Sequence, residues 1–138
     1  MLDATIWLGA SVGRLLGDLG ADVAKLETPD GTADRRRGYP LPGGTSAWWA
    51  FSEAGKRGIV LDPHEEDCAD RPVDLLAEAR VLITSEGPAL RRRGLAPEAI
   101  RARYPGLVHV SVSLHGLDGP YADRPVLVGG RHRTPVGR

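Results

Sequence analysis

The chain has 138 residues, 41% of them apolar, enough for one ordinary domain with a modest core and too many for a disordered segment. The 18 lysines and arginines balance the 18 aspartates and glutamates, so charge gives no argument for nucleic acid or a membrane surface as partner. Cys68 stands alone, which excludes a disulfide framework and a cysteine-based zinc site; with no membrane-length apolar run and no secretory signal pattern, a cytoplasmic protein is the expectation.

Leu2 to Ile6 reads as the end of a first strand, with Met1 almost on top of it. Val12, Leu15, Leu16 and Leu19 recur at helical spacing and form one apolar face, with Ser11 as N-cap and Gly20 as the glycine stop. Val23 to Leu26 is the next strand, and a helix of this length between two strands predicts a parallel βαβ unit. Thr28 to Gly44 is loop by its glycines and prolines, long enough to be functional. Ser46 to Glu53 holds Trp48, Trp49 and Phe51.

Gly55 to Gly58 is a turn, and Ile59 to Leu61 a short strand ending in Asp62. Pro72 to Ala79 predicts a helix and Val81 to Thr84 a buried strand. Gly87 to Arg93 predicts a short helix stopped by Gly94. Pro97 to Tyr104 is a stronger one, with Pro97 at its first position, Glu98 where the dipole favours an anion, and Leu95 placed to staple onto Ile100. Leu107 to Leu114 alternates Val108, Val110 and Val112 with His109, Ser111 and Ser113, a strand pattern. This order argues for an α/β fold with a doubly wound sheet. From Val126 onward three arginines and no acid make a divergent tail with no sustained period, which reads as frayed; residues 1–125 form the domain and 126–138 the disordered tail.

Glu27 ends the second strand, where an acid binds ribose in dinucleotide folds. The supporting Gly-x-Gly-x-x-Gly is absent; Gly9, Gly13 and Gly17 lie four apart, a spacing that puts small residues on one helix face for close packing and argues against NAD. His64 and His115 sit in loops with no paired cysteine or second histidine, so no metal site is expected. His109, on a strand, reads as a sheet-face histidine rather than a catalyst.

Several runs together resemble the class III CoA-transferase family, also called the carnitine dehydratase, acyl-CoA racemase and formyl-CoA transferase group. They are Gly13-Arg14-Leu15-Leu16 through Leu26-Glu27, Gly55-Lys56-Arg57-Gly58-Ile59-Val60-Leu61-Asp62, Ala79 through Ile83, Arg92-Arg93-Gly94-Leu95, Tyr104-Pro105-Gly106-Leu107-Val108 and Gly116-Leu117-Asp118-Gly119-Pro120-Tyr121. They follow family order from Leu2 to about Pro125. The resemblance implies the N-terminal part of a Rossmann-like large domain, from a longer enzyme that forms an interlocked homodimer. It implies transfer of CoA between an acyl-CoA and a carboxylic acid, through a mixed anhydride on an aspartate. That aspartate belongs downstream of the Gly-Pro-Tyr run, so no catalytic residue is assigned and the chain alone is expected to be inactive. Two other readings stand beside it: a non-catalytic CoA-binding or subunit-pairing module, and the acyl-CoA racemase branch. The break after Pro125 is the pattern a frameshift produces.

The resemblance implies coenzyme A contacts at Thr28, Leu61, Asp62, Ser85, Glu86, Gly87 and Arg92, with Lys56 and Arg57 as further cations and no metal. Thr28 stands where the transferases often have a basic residue, Ser85-Glu86 where they often have Asn and an apolar or aromatic residue, and Leu8-Gly9-Ala10 replaces their Ala-Gly-Pro turn. CoA carries phosphates that need cations or helix N-termini. Lys56-Arg57 reads equally as an exposed turn, Arg91 to Arg93 as a solvated helix end, and Arg35-Arg36-Arg37 as a solvated loop. Trp48, Trp49 and Phe51 read as core or dimer-contact aromatics before adenine stackers.

Overall fold

Side chains alternate along the first strand: Leu2 and Ala4 join an apolar core on one face of a sheet, while Asp3 points into a charged cluster on the other. The computed structural model describes residues 1–62, 64, 71–85 and 96–122. The strands are β1 (Leu2–Ala4), β2 (Ala24–Glu27), β3 (Arg57–Val60), β4 (Val81–Ser85) and β5 (Val108–Val112). All pair in parallel, in the order β3-β2-β1-β4-β5. The helices are α1 (Ala10–Asp18), α2 (Ala47–Ser52), α3 (Arg71–Glu78) and α4 (Pro97–Arg103). The chain winds outward through β2 and β3, then returns to the other side of β1 for β4 and β5. The α/β, doubly wound expectation is therefore what the structure has.

Leu2, Ala24, Leu76, Leu82 and Ile100 form the buried apolar cluster, with Leu26, Ile59, Leu75 and Tyr104 packed against it. This core joins the sheet to α3 and α4. The opposite face carries α1 and α2.

The expected N-cap at Ser11 is corrected: α1 begins at Ala10, and Gly9 precedes it at φ 83° with no side-chain cap. A Cβ at Gly9 would lie 3.2 Å from both Thr5 Cγ2 and Val112 Cγ2, so the chain turns here against the sheet. At the other end Gly20 acts as expected, at φ 97°: its N–H donates to Gly17 O and that of Ala21 to Leu16 O, a Schellman stop. The apolar face of α1 is turned outward, with Leu15 60% and Leu19 77% exposed, while Ala10 and Gly13 are the residues that meet the sheet.

The run from Ser46 to Glu53, for which the sequence suggested no element, contains α2; the Ser46 hydroxyl accepts from Trp49 N at 3.1 Å, as an N-cap does. The loop from Thr28 to Gly44 contains a 3-10 turn, Ala33–Arg36. His109 does lie on the sheet, its Nε2 2.9 Å from the Thr84 hydroxyl. The helix expected over 87–93, Cys68, Leu95 with its expected staple onto Ile100, and the tail from 126 lie outside the described residues.

Candidate functional site

In an open parallel sheet wound in both directions, ligands bind outside the carboxyl ends of the strands, where the winding reverses. Here that point lies between β1 and β4. Ser85, the last residue of β4, accepts a hydrogen bond from Ile6 N through its hydroxyl at 2.6 Å and so ties the two strand ends together. Beside β1, the end of β2 leads into Thr28, whose hydroxyl donates to Gly31 O at 3.3 Å. Leu61 continues the ladder past β3, its N–H donating to Glu27 O at 2.8 Å. The Asp62 carboxylate accepts from His64 N at 2.9 Å. Thr28, Leu61, Asp62 and Ser85 thus share the carboxyl edge of the sheet.

Glu27, Thr28, Pro29, Asp30, Gly31, Arg35 and Val60 line an open hollow of about 230 Å³ on this edge. The Glu27 carboxylate is buried and accepts from Arg35 at both oxygens, 2.9 and 2.6 Å, and from Thr32 N at 3.0 Å. Burial alone would raise its pKa, but the Arg35 and Thr32 bonds outweigh that and hold it below the usual carboxylate value. The Arg35 guanidinium also lies 4.2 Å over the Trp49 ring. Glu27 is therefore engaged within the protein, and Arg35 is no freely solvated loop cation.

Lys56 and Arg57 do not join this edge. They stand at the amino end of β3, the opposite end of the sheet from Thr28 and Asp62. Arg57 forms an exposed, two-pronged pair with Asp22 at 2.8 and 2.6 Å. Lys56 runs inward: Nζ donates to Asp3 Oδ2 at 2.6 Å, Glu53 Oε2 at 2.6 Å and Ala10 O at 2.8 Å. All three ammonium protons have acceptors and the side chain is 1% exposed, so neither an exposed turn nor a phosphate contact describes it. Lys25 completes the cluster, with Thr5 O at 2.6 Å and Glu53 Oε1 at 3.3 Å. Sequence reasoning missed this quartet of Asp3, Lys25, Glu53 and Lys56; the one available signal was two charges, Asp3 and Lys25, inside strands. Glu86, Gly87 and Arg92 lie outside the described residues.

The sequence profile of CoA-transferase family III matches residues 2–127. The chain belongs to that family. Among its relatives, a formyl-CoA:oxalate CoA-transferase of Streptomyces avermitilis is 35% identical over 125 residues, covering 89% of this chain and 30% of the relative. A probable fatty acyl-CoA transferase of Mycobacterium tuberculosis is 31% identical over 120 residues, 85% of this chain and 30% of its own length. The crystal structure of a CaiB/BaiF family protein from Brucella suis superposes with a TM-score of 0.76 at 36% identity, covering 89% of this chain and 34% of that one. The chain thus spans about a third of the length of each of these three proteins. Among the described residues no helix is long and apolar enough to cross a membrane.

Proposed function

We propose that this chain builds the coenzyme-facing part of the large domain of a class III CoA-transferase, an enzyme that moves CoA between an acyl-CoA and a carboxylic acid. The reading is supported above all by the meeting of Thr28, Leu61, Asp62 and Ser85 at the carboxyl edge of a doubly wound sheet in a member of that family. These four residues, with Glu86, Gly87 and Arg92, are the proposed CoA contacts. Lys56 and Arg57 are left out on geometric grounds: the first is enclosed and the second lies at the other end of the sheet.

In the complete reaction an aspartate carboxylate attacks the thioester carbonyl, the C–S bond breaks, CoA leaves as thiolate and a mixed anhydride forms. The protein chain described here is proposed to hold CoA and not to supply that aspartate, so the 138-residue chain alone binds without turnover. The working assembly is proposed to be a cytoplasmic homodimer.

Calorimetric titration of the chain with CoA tests this. Saturable binding that weakens in Asp62→Ala, with no CoA exchange between acids, is the expected result. Absence of any CoA binding by the folded chain would sink the proposal.

A further inference from the structure

Arg37 lies over the turn that follows β1. Its guanidinium sits 4.4 Å over the ring of Trp7. Its backbone is held on both sides: N–H donates to Asp34 O at 3.2 Å, and C=O accepts from the Ser46 hydroxyl. Among the described residues its side chain has no carboxylate partner. The neighbouring arginines differ, since Arg35 is paired with Glu27 and Arg36 reaches the carbonyl of Asp30.

Trp7 is itself constrained. It is the one non-glycine residue with positive φ among the described residues, at 62°, a costly conformation for a bulky side chain. The Asp34 carboxylate, 1% exposed, holds it there by accepting from Trp7 N at 2.6 Å. One residue earlier, Ile6 N is held by Ser85 across the point where the winding reverses. Two buried or strand-end side chains therefore hold a strained turn whose product is an indole platform under a fixed arginine, beside exposed Ile6.

We infer that Arg37, stacked on Trp7, is a recognition site for the carboxylate of an organic acid. Stacking leaves the edge of a guanidinium free for a planar, two-pronged bond to a carboxylate. A single cation matches one carboxylate, and exposed Ile6 lies in the same turn as the indole. Asp34 is a positioning residue, because it touches the turn and not the ligand. Assignment of this acid as the CoA acceptor rests on the transferase reading; the anion site itself does not.

The test is an NMR titration of the 138-residue chain with disodium succinate, reading the Trp7 indole N–H and the Arg37 Nε–H, with inorganic phosphate and CoA titrated separately. Saturable succinate shifts at both reporters are expected. Arg37→Gln should weaken succinate about tenfold or more, as loss of a charged hydrogen-bond pair does, read at Trp7. Arg37→Lys, which keeps the charge but loses the fork, should fall between, and Arg36→Gln should bind as the native chain does. No saturable shift, an Arg37→Gln protein that binds as tightly as the native one, or phosphate binding more tightly than succinate would each overturn the inference. Succinate binding without CoA binding would keep the site and remove its transferase role. CoA binding without succinate binding would do the reverse.

Discussion

The ammonium of Lys56 lies 2.6 Å from the carboxylate of Asp3, across 53 residues of sequence, and both side chains are buried. Lys25 and Glu53 complete an alternating arrangement of two acids and two bases under α1. Removing one member leaves the others charged and uncompensated in a site closed to water. Asp3→Asn is therefore expected to lower stability by about 3–5 kcal/mol, read as a fall in the urea midpoint. Asp22→Asn, which breaks the exposed pair with Arg57, should leave that midpoint unchanged. Equal effects of the two changes would refute a special role for the quartet.

Gly13 and Gly17 lie one turn apart on α1 yet should respond in opposite ways. A Cβ at Gly13 would lie 2.5 Å from Asp3 Oδ2 and 3.0 Å from Lys56 Cε, inside the quartet. At Gly17 the nearest atom is Val23 Cγ2 at 3.8 Å, an ordinary contact. Gly17→Ala should raise stability by about 0.5–1 kcal/mol through helix propensity. Gly13→Ala should lower it by about 1–3 kcal/mol, the cost of forcing volume into a packed site. Thermal midpoints of the two variants decide the matter.

The lowered pKa of Glu27 gives an acid limb to stability. An unfolded glutamate takes up its proton near 4.5, whereas Glu27 in the fold does so only at lower pH, held by Arg35 and Thr32 against the cost of burial. The unfolded chain thus binds more protons in that interval. The stabilisation is complete above the unfolded value and is lost as pH falls through the folded one. Glu27→Gln should flatten the acid limb of the urea midpoint plotted against pH. An unchanged limb would show that other carboxylates carry it.

Thr28 faces the hollow at the end of β2 with a hydroxyl already turned to Gly31. If CoA phosphates approach this edge, Thr28→Arg adds a cation to it. CoA affinity measured by calorimetry should then rise by about threefold to tenfold at low salt, and the gain should shrink as salt is added. A gain that ignores salt would mean the arginine acts by packing.

Much of the fold was readable from local pattern. Alternation at Val108 to Ser113, the run Val81 to Thr84 and the proline at Pro97 located strands and a helix near their observed bounds. The order of those elements was enough to argue for two-way winding. The helix over Trp48 and Trp49 went unread, although Ser46 offered a cap, because a run of six residues is too short to show a period.

The candidate site divides in the same way. That Thr28, Leu61, Asp62 and Ser85 share one edge follows from strand order, since each lies at or just past a strand end; their contact with CoA is implied by the family resemblance and is a proposal. The places of Lys56 and Arg57 were not legible, since adjacent cations in a turn look alike until their partners are known: one reaches buried Asp3, the other exposed Asp22. The apolar stripe of α1 shows the same limit, for periodicity says which residues share a face and not what that face meets. Local spacing sets the backbone's period and hence the elements. The burial of Lys56, the strained Trp7 turn and the fixed position of Arg37 come from groups distant in sequence, because charge pairing and packing act through space.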